Sequence, residues 1–136
     1  MNYENFKPHG IMIHNIIPNN TCEKKRKGYG ITQNELESII VKLKKRIINA
    51  KNFIDKSINN TLNCKDICIT FDDLLKCQIE LALPILNKYN IKAFFFINTC
   101  PLNSIPDKLE EIKYFRFNYF KSIDDFYNEF NDVLLN

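Results

Sequence analysis

Glycine and proline are scarce in this chain, three and five of 136 residues. That leaves no room for collagen-like repeats or for long Gly/Pro loops. No stretch approaches the roughly 18 consecutive apolar residues that a membrane-spanning helix needs. Met1 to Pro8 is polar and aromatic, with no basic region followed by an apolar one, so no secretory signal is expected and a cytoplasmic location is. The five cysteines (Cys22, Cys64, Cys68, Cys77, Cys100) are odd in number, irregularly spaced and contain no Cys-x-x-Cys. They are expected to be reduced, mostly as small buried hydrophobes, and not to form a disulfide framework. No glycine-rich phosphate loop follows either candidate strand, which argues against a nucleotide-binding module. Histidine is limited to His9 and His14.

What is present suits a packed globular chain. Hydrophobic residues make up 45%, charged residues 26% and aromatics 12%, which excludes a disordered chain. The formal net charge is only +3. The basic run Lys24-Lys25-Arg26-Lys27 therefore reads as a solvated loop, and no nucleic-acid partner is expected.

Hydrophobic periodicity places the elements. Gly10 to Ile17 reads as a short strand and 18–30 as a surface loop. Thr32 with Glu35 forms a capping box opening a helix over about Gln33 to Ile48, with Leu36, Ile39, Ile40, Leu43 and Ile47 on one face. The polar stretch Asn49 to Lys65 has no clear period. Ile67 to Phe71 reads as a strand buried on both faces, as parallel strands are. A helix follows to Tyr89, kinked or restarted at Pro84, with Asn90 as its C-cap. Ile91 to Ile97 reads as a second buried strand, completing a βαβ unit. Cys100 to Pro106 is a loop. Ser122 with Asp125 opens a last helix carrying Phe126, Phe130, Val133 and Leu134.

The chemistry concentrates in Asp72-Asp73. Adjacent carboxylates sit here at the carboxyl end of a predicted parallel strand, where the active sites of α/β proteins gather. Their side chains point in different directions, so one can ligate a metal while the other takes a proton from bound water. The simpler alternative is that either Asp caps the next helix.

The order and spacing of Ile69-Thr70-Phe71-Asp72-Asp73, of Ala82 with Pro84-Ile85-Leu86-Asn87-Lys88-Tyr89-Asn90, and of Ile91-Lys92-Ala93-Phe94-Phe95-Phe96-Ile97 resembles the first motif region of polysaccharide deacetylases of the NodB-homology type. Gly10-Ile11-Met12-Ile13-His14 is similar to the first strand of many members. The resemblance covers most of the chain and is strongest over 67–97. It implies an α/β fold, a partial distorted (β/α) barrel of about three parallel strands with flanking helices, in a single incomplete domain over 1–136. It also implies metal-dependent hydrolysis of an acetyl group on a sugar or glycan, with zinc the expected metal. By the same resemblance Asp72 is the catalytic base and Asp73 a metal ligand. His14, at the end of the first strand, is a candidate for the active-site mouth.

Two departures limit what is carried over. Leu74 stands where the family has Gly, a strained choice if the position needs φ > 0. The family's second motif supplies two histidines four residues apart downstream, and His9 and His14 lie upstream, five apart. The later motifs carrying the general acid and an arginine are absent as well. The chain is therefore expected to be the N-terminal portion of such a deacetylase, from a shortened, split or frameshifted gene. It should bind no metal tightly and be inactive alone, a second chain supplying the rest of the barrel. The alternative is a non-catalytic interaction protein that pairs through its open sheet edge. Tyr114 to Phe120, rich in aromatics, is read as core packing or as a covered surface, with a wall for a sugar as the functional alternative.

Overall fold

The computed structural model describes residues 7–21 and 29–135. They divide into two compact units: residues 7–19 with 30–98, and residues 20, 21 and 29 with 99–135. Cys22 and the basic run Lys24 to Lys27 lie outside the described residues.

In the first unit the N-terminal apolar stretch makes two strands, β1 (His9–Ile13) and β2 (Ile16–Ile17), where one was expected. The break falls at His14 and Asn15, and β2 leaves the first sheet to pair in parallel with β3 (Ile31–Thr32). Gly30 makes that pairing possible. A Cβ there would lie 2.3 Å from the carbonyl oxygen of Asn15, so any larger residue would push the two segments apart.

Helix α1 (Gln33–Leu43) opens on the expected capping box. The Glu35 amide donates to Thr32 Oγ1, and the Glu35 carboxylate accepts from the Thr32 amide at 2.8 Å. The helix stops five residues short of the predicted end. Ile47 is instead drawn alongside the sheet, where it bridges in parallel to Ile67. The Ile48 amide donates to the Ile67 carbonyl, and the Ile67 amide to that of Arg46. The stretch with no clear period holds a helix, α2 (Ala50–Ile58). Its N-cap Asn49 turns its side chain elsewhere, accepting from the Lys92 amide at 2.8 Å.

β4 (Ile67–Phe71) is the centre of a three-stranded parallel sheet in the order β1-β4-β5, with β5 at Phe94–Phe95. His9 to Ile13 pairs with Ile67 to Phe71 residue for residue, and Thr70-Phe71 with Phe94-Phe95. As expected for a strand covered on both faces, four of its five residues are buried. Ile69 and Phe71 join Ile13, Leu36 and Ile40 of α1, and Leu86 in the core. Phe71 is wholly buried and stacks on Phe95, ring centroids 4.9 Å apart. Burying a side chain of that size contributes about 2–3 kcal/mol. It holds the end of β4 immediately before the acid pair. On the other face Phe53 of α2 meets Phe94 edge-on.

The segment after β4 makes one π turn, Gln78–Ala82, and then α3 (Leu83–Lys88), with Pro84 in its first turn. Pro84 has no amide to donate, and the Leu83 amide reaches back five residues to the Gln78 carbonyl. The extra residue in the turn absorbs the proline without breaking the rod. Asn90 is left-handed at φ 55°, and the Ile91 amide donates to the Leu86 carbonyl and that of Asn90 to Asn87, a Schellman ending.

Of the predicted strand Ile91 to Ile97, only Phe94-Phe95 pairs, and both residues are half-buried. Cys68 is buried, Cys64 and Cys77 are half-buried and Cys100 is exposed, so burial does not describe the cysteines as a group. Burial pushes the Cys68 thiol up, which keeps it protonated and inert.

The second unit holds a short 3₁₀ turn at Pro101–Asn103 and two helices, α4 (Lys108–Tyr119) and α5 (Ile123–Leu135). Asp107 caps α4 through Glu110, and the Ser122 hydroxyl accepts from the Asp125 amide at the start of α5. Tyr114, Phe115 and Tyr119 of the aromatic segment are exposed on α4, so they are not core residues of this unit.

Candidate active site

β1 and β4 run in parallel and in register, so their carboxyl ends, Ile13 and Phe71, lie side by side. The residues that leave them, His14 and Asp72-Asp73, are brought together although they are almost sixty positions apart in the chain. Asp73 and Leu74 both take left-handed backbone, φ 69° and 50°. This double turn swings Asp73 back over the strand ends. Its Oδ2 lies 3.3 Å from His14 Nε2, with both side chains about 70% buried. Neither aspartate side chain accepts from a helix amide among the described residues, so capping does not account for the pair.

His14, Asp72 and Asp73 line one open cavity of about 350 Å³ with Phe96, Ile97 and Asn98. The Asp72 carboxylate makes no hydrogen bond or ion pair with the described residues, so its oxygens stay available to a solvent molecule in that cavity. His9, the other histidine, is exposed at the opposite end of β1, where its Nδ1 lies 2.7 Å from the Lys7 carbonyl. It takes no part.

Beneath the cavity is Gln78, a residue that periodicity does not single out. It is fully buried. Its Nε2 donates to the carbonyls of His14 at 2.8 Å and Asp72 at 2.6 Å, and its Oε1 accepts from the Leu75 amide at 3.2 Å. The last bond is the Gln half of a capping box, with Leu75 unable to supply the other half. A glutamine three residues into the helix that follows an acid pair is the one sequence signal that could have found it. Asn15, beside His14, is buried too. Its carbonyl accepts from the Ile31 amide, and its Oδ1 lies 3.8 Å from Cys77 Sγ.

This arrangement can hold a proton acceptor, Asp72, at the edge of a cavity, beside two metal-type donors, one carboxylate and one imidazole. A metal ion fits them only in part, because a catalytic zinc normally takes three protein ligands.

Comparison with known proteins bears on the whole segment. Residues 59–118 match the family model described as polysaccharide deacetylase. A de-N-acetylase from Aggregatibacter actinomycetemcomitans superposes with a TM-score of 0.55 at 21% identity, over 71% of this chain and 39% of its own. The Streptococcus pyogenes deacetylase PplD, solved in complex with acetate, superposes with a TM-score of 0.55 at 22% identity, over 79% of this chain and 52% of its own. The chain thus spans about two-fifths and one-half of those two proteins. At these identities the likeness establishes the fold, and it agrees with three parallel strands and flanking helices as part of a larger barrel. The sequence matches no curated protein.

Proposed function

We propose that this chain, whose residues 59–118 match the polysaccharide deacetylase family model, supplies the acid-pair side of a site that hydrolyses an acetyl group on a sugar. The observation that carries the reading is the convergence of Asp72, Asp73 and His14 on one cavity at the carboxyl ends of β1 and β4.

Asp72 acts as general base. Its unpartnered carboxylate takes the proton from the water that attacks the acetyl carbonyl carbon, and the carbonyl oxygen becomes the oxyanion of the tetrahedral intermediate. Collapse expels the sugar amine or hydroxyl, which takes up the proton that Asp72 removed from water, leaving acetate. Asp73 and His14 are the residues of this unit that would hold a divalent metal, through a carboxylate oxygen and a ring nitrogen. When bound, such an ion polarises the carbonyl and acidifies water. This unit by itself supplies two such ligands, fewer than the three a catalytic zinc normally takes, so we expect weak metal binding and no turnover by the chain alone.

The test is a calorimetric zinc titration of the purified chain together with an acetate-release assay on an acetylated oligosaccharide. Weak zinc binding, lost in Asp73→Asn and in His14→Ala, retained in Asp72→Asn, and no acetate release, is the expected set. Zinc binding indifferent to Asp73→Asn would overturn the ligand assignment. Acetate release that disappears in Asp72→Asn would show the chain to be an enzyme by itself.

A second reading has one observation in its favour. Phe96 and Ile97, which follow the edge strand β5, are each 55% exposed, an apolar edge that a partner strand would cover. A non-catalytic protein pairing there would be dimeric in solution and would lose the dimer on Phe96→Lys.

A further inference from the structure

Gln78 is buried without serving the apolar core. A carboxamide costs free energy to bury unless its hydrogen bonds are made, and Gln78 makes three, all to backbone atoms within reach of the acid pair. Its two acceptors are the carbonyls of His14 and Asp72, the first residues beyond paired strands β1 and β4. Those carbonyls lie past the last ladder bonds, so the sheet itself does not fix them. Its position three residues after Leu75, whose amide donates to Gln78 Oε1, anchors the side chain at the start of the helix and aims its Nε2 at the two carbonyls.

We propose that Gln78 is a positioning residue that clamps the His14 and Asp72 carbonyls together and so sets the approach of the His14 imidazole to the Asp73 carboxylate. This deepens the acid-pair reading above and rests on it. Gln78 touches neither substrate nor metal. It acts through backbone, by denying the two strand ends the freedom to part. With the clamp lost, His14 and Asp73 separate although the sheet and the core remain.

Nuclear magnetic resonance of the ring nitrogens of His14 in the whole chain, at one fixed pH, tests this without any turnover. In the unaltered chain, Asp73→Asn should move the His14 ring resonances, which reports the pair. In Gln78→Asn, whose shorter arm cannot reach both carbonyls, and in Gln78→Glu, which keeps the bond from Leu75 but loses both donations, the response to Asp73→Asn should fall to about half or less. Ile40→Val, a core change in α1 away from the site, should leave the response whole. A folded Gln78→Asn or Gln78→Glu chain with an undiminished response would overturn the proposal. Loss of the folded spectrum in both would overturn it too, because Gln78 would then be a residue of global stability. Because nothing here depends on acetate release, failure of the clamp is distinguishable from failure of the deacetylase reading, which the zinc and acetate assays address.

Discussion

Asp73 and Leu74 both sit in left-handed backbone, where a side chain meets its own carbonyl and costs about 1 kcal/mol or more. The turn is needed to bring Asp73 back to His14, and the strain is its consequence. Leu74 is 38% exposed, so its side chain adds little to the core. Leu74→Gly should therefore leave stability unchanged or raise it by up to about 1 kcal/mol in a urea melt, the relief exceeding the entropy lost. A clear drop in the midpoint would mean that the leucine packs to more effect than its conformation costs. This position was legible in the sequence, because the family resemblance puts glycine where this chain has leucine. Asn90 was legible for the same reason, an asparagine closing a helical stripe. Gln78 was not. One glutamine among apolar residues reads as a helix position like any other until two distant carbonyls are known to lie beside it.

At the scale of elements, local signals decided what could be read. Thr32 and Glu35 marked the start of α1 because both halves of the capping box lie within four residues. Thr32→Ala removes the oxygen that accepts the Glu35 amide and should cost about 1–2 kcal/mol in a thermal or urea melt, with the β2-β3 pairing intact. A cost near zero would show that Gly30 and the Glu35 carboxylate fix the helix start without it. The end of α1 was misread because Ile47 keeps helical spacing, yet a free edge of β4 offers its backbone better partners. α2 went unread because Asn49 gives its side chain to Lys92, a contact 43 residues away, and no sequence window contains it. The division of the first strand at His14-Asn15 depends likewise on Gly30 meeting Asn15 from across a loop.

At the scale of the whole molecule, the order β1-β4-β5 follows from parallel crossovers, the first through α1 and α2 and the second through α3. The motif order carried the sheet and the place of the acid pair before any coordinates did. The donor set is small at this scale too: residues 7–98 supply two metal-type side chains to the cavity, and the chain covers only 39% and 52% of the two solved deacetylases it superposes on. Charge pairs away from the cavity bear on stability. Burial acts to raise the Asp66 carboxyl, but hydrogen bonds from Lys56 at 2.9 Å and the Asn63 amide outweigh it and hold the group below its usual range. Glu37 is held low by Lys88 and Tyr89. A carboxyl whose folded value is depressed stabilises the fold above its unfolded value, near 4, and loses that contribution as pH falls through the folded value. The urea midpoint should therefore drop on acidification below about pH 5, and Asp66→Asn should flatten the drop. An unaltered profile in Asp66→Asn would remove the Lys56–Asp66 pair from the account.

The most direct measurement grafts residues 9–98 into the matching segment of the Streptococcus pyogenes deacetylase and follows acetate release from an acetylated oligosaccharide. A folded chimaera that releases acetate, and loses about 100-fold or more of that rate on Asp72→Asn, is the predicted result. Release that is indifferent to Asp72→Asn would contradict the assignment of the acid pair to catalysis.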